Sequence, residues 1–258
     1  MSDNIKVNDN IKLSDSNNCT QNDTLSKTKN IEQNAHNSNI SNNQNTKSSN
    51  DKPFKVENLN FYPTKDFPHL KVFNANYKYI KEELLNIIKS DEKEAKENKF
   101  FQPWIEHDLY EESNPSGWDV GPLMIGGKYI DKNCNKAKFL YNIIKDIPGL
   151  QSASFSLLKP GTHIVPHKGY DEYSESILRF HMGIFIPNGD IGIRVGNDVK
   201  VWKEGESFIF DDFIIHEAWN FSKENRYVLI CDFCDPNSIS KLNINDNNFN
   251  KSVSNYLK

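Results

Sequence analysis

The second half of the chain alternates. In "SASFSLLK", "HIVPH", "ILRFHMGIFIP", "IGIRVG", "VKVWKEG", "ESFIFDD", "HEAWNF" and "RYVLICDF", β-branched and aromatic residues recur in short runs, and Pro160-Gly161, Asn188-Gly189 and Gly196-Asn197 punctuate them. A period of two sends successive side chains to opposite faces of a strand, while Pro, Gly and Asn pairs supply turns. Eight short strands at this spacing predict a sandwich or jelly-roll barrel. Upstream the period changes. In "YKYIKEELLNIIKSDEKEAKE", Tyr77, Ile80, Leu84, Ile87 and Ile88 fall at helical spacing, and "KAKFLYNIIKDI" predicts a second helix stopped by Pro148-Gly149. The fold class expected is therefore mainly β, with flanking helices on the outside of one sheet. Between the helices, "QPWIEHDLYEESNPSGWDVGPLMIGG" reads as irregular, and its Trp104, Tyr110 and Trp118 read more readily as caps over the core than as the lining of a cleft.

The first part of the chain has neither period. Residues 1–52 are rich in Asn, Ser, Thr and Lys with only scattered Ile and Leu, and cannot bury enough apolar surface to offset the entropy of ordering. A disordered Asn-rich tail is expected there, followed by a single domain over 53–240 (helical and irregular over 53–150, a β core over 151–236) and a C-terminal tail over 241–258. The net charge of −4 is spread along the chain without a basic stripe, which argues against nucleic acid as a partner. No apolar run approaches the ~20 residues that span a bilayer, and no signal peptide opens the sequence, so a cytoplasmic protein without a membrane span is expected. Four cysteines do not make a disulfide framework in a chain of 258 residues. Cys231 and Cys234 form a C-x-x-C, but three residues apart on a strand they face opposite ways, which disfavours a shared metal or a disulfide.

Chemistry concentrates in the strand-rich half. His163, His167, His181 and His216 lie there, whereas His36, His69 and His107 fall in the tail or in irregular segments and receive no role. Neutral imidazole suits iron, zinc, copper and nickel. Arg179 and His181, two apart, share one strand face, and Arg226 opens the last strand. An unpaired guanidinium facing a barrel interior costs several kcal/mol, so it needs an anion. Few interior carboxylates are evident; Asp211 and Asp212 close a strand and are expected at the rim. A dicarboxylate ligand would supply the missing charge.

Taken together, "FSLLKPGTHIVPHKGY", "LRFHMGIFIP", "VWKEGESFIFDDFIIHEAWN" and the Arg226 strand ending "DFCDP" resemble the catalytic domain of the aspartyl/asparaginyl β-hydroxylase family, from about Trp118 to Pro236. The resemblance implies a double-stranded β-helix (jelly-roll, cupin-like) and an Fe(II)- and 2-oxoglutarate-dependent dioxygenase that uses O2 to hydroxylate a C–H bond. It implies His167 and His216 as the metal ligands. Gly169, where other iron oxygenases carry a carboxylate ligand, matches a glycine in this family, so the site would be a two-histidine one. Arg226 and Ser156 would hold the distal carboxylate of 2-oxoglutarate, and Arg179 and His181 would help keep the cosubstrate near the metal. On chemical grounds, a water in the position left by the missing carboxylate would be oriented by an acid such as Asp212. Trp104, Trp118, Tyr170 and Tyr173 are expected to line the substrate entrance. The segment containing "YDEYSES" is a few residues longer than in the animal enzymes, and their tetratricopeptide-like and membrane-spanning parts have no counterpart here. The substrate is thus left open among a peptide or protein side chain, an acyl chain and a small molecule. A non-catalytic cupin-like binding module is the alternative, and a zinc hydrolase on a similar barrel lacks a third ligand and a placed base.

Overall fold

The computed structural model describes residues 54–56, 59–169 and 176–235. The two expected tails, and with them Tyr170 and Tyr173, lie outside the described residues. In chain order the elements are β1 (Phe61–Tyr62), α1 (Lys71–Ala75), α2 (Tyr77–Asp91), β2 (Gln102–Pro103), β3 (Trp118–Ile125), β4 (Lys128–Tyr129), α3 (Asp131–Lys136), α4 (Lys138–Ile144), β5 (Leu150–Leu158), β6 (Thr162–His167), β7 (Leu178–Phe185), β8 (Ile191–Val195), β9 (Asp198–Lys200), β10 (Ser207–Asp211), β11 (His216–Asn220) and β12 (Arg226–Phe233).

The eight strands expected from alternation are β5 to β12, and they divide between two antiparallel sheets. The larger runs β1-β10-β7-β12-β5-β3-β2, with β4 on β3, and the smaller runs β6-β11-β8-β9. Counting from β5, the first strand pairs with the eighth, the second with the seventh, the third with the sixth and the fourth with the fifth. This nested pairing is that of a jelly roll, the double-stranded β-helix. Each face of the larger sheet has its own core. Phe155, Leu157, Phe180, Leu229 and Phe233 meet Phe73, Ile80, Leu84 and Leu140 of the helices on one side. On the other, Leu158, Val228, Phe208 and Phe210 meet Ile164, Ile193, Val195 and Ala218 of the smaller sheet. The helices do pack outside one sheet, because α2 turns Ile80, Leu84 and Ile87 to a single buried face. None of the described helices is long and apolar enough to cross a membrane.

The stretch read as irregular needs correction. Within it β3 is an eight-residue strand that extends the larger sheet, paired along β5. Its Gly-Pro punctuation concealed it. Gly121 is there because a Cβ would overlap the Phe100 ring, and Pro122 sits beside a register shift where the ladder is already interrupted. The second helix is shorter than its apolar pattern, since Ala137 (φ −116°, ψ 59°) separates α3 from α4. Glu83 of α2 closes that break, its carboxylate accepting the backbone N–H groups of Phe139 (2.6 Å) and Leu140 (2.9 Å). Cys231 packs in the helix-side core and Cys234 lies just past β12 against the Gly149 carbonyl; both are free thiols.

Candidate active site

β6 ends and β11 begins at the same edge of the smaller sheet, and the register places His167 directly opposite His216. The two rings lie 4.3 Å apart between centroids. Each ring is held by the same device: His167 Nδ1 donates to the Val165 carbonyl and His216 Nδ1 to the Ile214 carbonyl, both at 2.8 Å. A carbonyl only accepts, so Nδ1 carries the proton and the lone pair is on Nε2. Burial pushes both imidazoles below their usual pKa, His216 strongly, with the neighbouring His167 and Arg179 charges acting in the same direction on it. Both are neutral near pH 7, the state in which imidazole binds a metal. A backbone acceptor on the far nitrogen is the usual way a ligating histidine is oriented. Among the described residues, no group of three or more His, Cys, Asp or Glu side chains is arranged to hold a metal. His167 and His216 are the pair of histidines that the strand register brings together.

The inner face of the larger sheet supplies the rest. Arg226, Val228, Ile230 and Asp232 alternate along β12 toward the interior, with Ser156 opposite Val228, His181 opposite Ile230 and Arg179 opposite Asp232. Arg226 is 2 % exposed, and its Nε has no hydrogen-bond partner among the described residues. Its guanidinium carbon lies 4.7 Å from the Trp202 ring centroid, and burial pushes its pKa down to about 9, so it is still a cation at neutral pH. Trp202 Nε1 also donates to His181 Nδ1 at 3.4 Å. That assigns the His181 proton to Nε2, a buried donor with no acceptor among the described residues. Ser156 Oγ accepts the Trp118 Nε1–H at 3.0 Å, leaving its own hydroxyl proton to donate. The Arg226 cation, the His181 Nε2–H and the Ser156 hydroxyl thus lie on one interior face, and among the described residues none of the three is bonded to a carboxylate. This donor set fits a carboxylate ligand.

Arg179 differs from expectation. It is not short of carboxylates: Asp232 accepts from its Nε and Nη2 at 2.6 and 3.0 Å, and Asp212 Oδ1 forms an ion pair with Nη1 at 2.6 Å. Asp212, expected at the rim, is 1 % exposed and faces inward, with Oδ1 3.7 Å from His216 Nε2. The strand ends at Asp211, which points outward to Lys55, and beyond that end the two-residue period no longer governs direction. Asp232 was missed, although its parity with Arg226 on one strand marked it as inward. Trp202 was missed too, and nothing in its local sequence distinguishes it. His163 faces away from the site and pairs with Glu217 at 2.8 Å.

A cavity of about 280 Å³ opens onto His167, walled by Trp104, Leu109 and Trp118 with Glu106, Lys168, Gly169 and Arg179. Trp104 and Trp118, read from their segment as caps but also expected at an entrance, line this cavity with their rings 5.3 Å apart, while Tyr110 is the buried cap behind them. A larger open groove of about 560 Å³ lies between α2 and α4 and contains none of these residues.

Comparison with known proteins identifies the family. The profile of the family described as "Aspartyl/Asparaginyl beta-hydroxylase" matches residues 74–236. The chain is 34 % identical over 184 residues to the "Ornithine lipid ester-linked acyl 2-hydroxylase" of Rhizobium tropici, covering 70 % of this chain and 63 % of that protein. It is 29 % identical over 172 residues to the human "Aspartyl/asparaginyl beta-hydroxylase", covering 65 % of this chain and 21 % of that protein. Against the human "Aspartate beta-hydroxylase domain-containing protein 2" the identity is 30 % over 135 residues, 48 % of this chain and 36 % of that one. The match therefore spans under two thirds of the length of these relatives. Because the profile runs through the helical layer and every strand of the jelly roll, from Asn74 past β12, the chain belongs to the aspartyl/asparaginyl β-hydroxylase family.

Proposed function

We propose that this protein is an Fe(II)- and 2-oxoglutarate-dependent dioxygenase that hydroxylates a C–H bond. The observation that carries the reading is the buried Arg226 cation, with no partner for its Nε among the described residues, in the same barrel interior as two neutral histidines whose Nδ1–H groups bond backbone carbonyls and so leave the lone pair on Nε2. His167 and His216 would hold the iron through Nε2. Arg226 and Ser156 would bind the distal carboxylate of 2-oxoglutarate, the planar guanidinium suiting a carboxylate better than an ammonium would, and the His181 Nε2–H would donate to a cosubstrate oxygen closer to the metal. When bound, iron, 2-oxoglutarate and O2 together supply the oxidising power that places one oxygen atom in a C–H bond and the other in succinate, with release of CO2. The chain's own contribution is to orient and to exclude. Trp202 fixes both the Arg226 plane and the His181 tautomer. Trp118 holds Ser156 by its oxygen, so that the hydroxyl proton points elsewhere. The tryptophan-walled cavity beside His167 is the entrance for the substrate, which is a peptide side chain, an acyl chain or a small metabolite.

The test is succinate formation from 2-oxoglutarate in the presence of Fe(II) and O2. Wild-type protein is expected to produce succinate, and His167→Ala, His216→Ala and Arg226→Leu to lose at least 100-fold of that rate, on the order expected for first ligands and for a buried charge-assisted anchor. Succinate formation undiminished in the two histidine variants would end the proposal.

A further inference from the structure

We propose that Arg179, braced by Asp232, restrains Asp212 just outside bonding reach of the metal, so that a carboxylate able to become a third ligand is kept from doing so. The inference rests on the reading of His167 and His216 as the ligands. Two atoms bound to one ion at ~2.1 Å lie roughly 2.9 to 3.4 Å apart in octahedral or tetrahedral geometry. Asp212 Oδ1 is 3.7 Å from His216 Nε2. Distance alone does not keep it out; a small rotation of its side chain would close the difference. The backbone is already committed to this place, since the Asp212 carbonyl accepts the Gly169 N–H at 2.9 Å and so ties the residue to the segment that follows His167.

The restraint is specific to one oxygen. The Oδ1 that faces His216 is the atom ion-paired with Arg179 Nη1, 2.6 Å away. Arg179 cannot follow Asp212 inward, because Asp232 grips the other edge of its fork at Nε and Nη2, and Asp232 is itself buried and accepts Ser152 Oγ–H at 2.7 Å. A planar guanidinium engaged on two edges is fixed in orientation, which a lysine could not reproduce. Arg179 and Asp232 are therefore positioning residues. Their effect is to leave a metal position open for cosubstrate, and to make metal binding weak until cosubstrate arrives.

Zinc, which needs no oxygen-free handling, tests this without turnover. Zn(II) affinity is measured by chelator competition in the absence of 2-oxoglutarate, and crystal structures of the zinc-loaded proteins are determined. In wild type, zinc is expected on His167 and His216 with the Arg179–Asp212 pair intact. In Arg179→Gln, an Asp212 oxygen is expected at ~2.0–2.2 Å from zinc, with affinity raised about tenfold. Arg179→Gln/Asp212→Asn is expected to lose that ligand. Should Arg179→Gln not fold, Asp232→Asn loosens the same brace and is expected to bring Asp212 onto the zinc. Asp212 already bound in wild type, or still unbound in the folded variant, overturns the proposal. Zinc binding unaffected by His167→Ala and His216→Ala would instead sink the underlying assignment of the ligands.

Discussion

Removing Arg226 should make the ligand-free protein more stable, the opposite of what deleting a buried, packed side chain normally does. Burial pushes this guanidinium down to about 9. At ~1.4 kcal/mol per pK unit, holding the charge costs the fold on the order of 4–5 kcal/mol, an upper bound that relaxation of the surroundings reduces to a few. The sign follows from proton linkage. A base whose folded pKa lies below its unfolded one leaves the folded state with fewer protons between the two values. The penalty is therefore full below about pH 9 and relieved only above it, so all of it is present at pH 7. Met fills nearly the same length and keeps contact with Trp202, forfeiting ~1 kcal/mol of cation–π attraction. The net expectation for Arg226→Met is a gain of about 1–3 kcal/mol, or very roughly 3–10 °C in Tm for a domain of this size. The assay is urea and thermal unfolding of wild type and variant, with and without 2-oxoglutarate and Zn(II). Wild type is expected to gain stability with cosubstrate by mass action, and the variant is not. An Arg226→Met protein less stable than wild type without ligand would show that Arg226 has a permanent partner in the protein, and would refute the argument.

Three further outcomes follow from single contacts. Trp118→Phe removes the donor that orients Ser156 Oγ, and is expected to weaken 2-oxoglutarate binding about five- to tenfold by calorimetry while leaving Zn(II) affinity unchanged. Glu83→Ala uncaps α4 and is expected to cost about 1–2 kcal/mol in urea unfolding with no change in metal or cosubstrate affinity. Burial depresses His181, so without ligand the unfolded state takes up a proton first as pH falls through ~6.5. Stability should then be full above that pH and decline below it, and His181→Phe should flatten the decline in unfolding scans between pH 7 and 5.

What the sequence revealed depended on regular periods. Period two announced β5 to β12 and put Arg179 and His181 on one face, and period 3.6 announced α2. These signals were strong because each element buries one face only. β3 escaped because Gly121 and Pro122 serve close packing and a register shift at the expense of pattern. Asp212 was placed at the rim because direction is not periodic past a strand end. Asp232 carried the right parity and was overlooked through the assumption that interior acids are rare. Trp104 and Trp118 came from a segment with no period, so the sequence supported both a cap and an entrance reading, and tertiary structure separated them from the buried Tyr110.

The most direct test of the central claim is an anaerobic titration of the protein with Fe(II) and then 2-oxoglutarate, following the visible absorption spectrum. If His167 and His216 hold iron and Arg226 anchors 2-oxoglutarate beside it, a metal-to-ligand charge-transfer band is expected that saturates with 2-oxoglutarate and is lost in His216→Ala and Arg226→Met. A folded, iron-loaded wild-type protein that shows no such band at saturating 2-oxoglutarate would contradict the account.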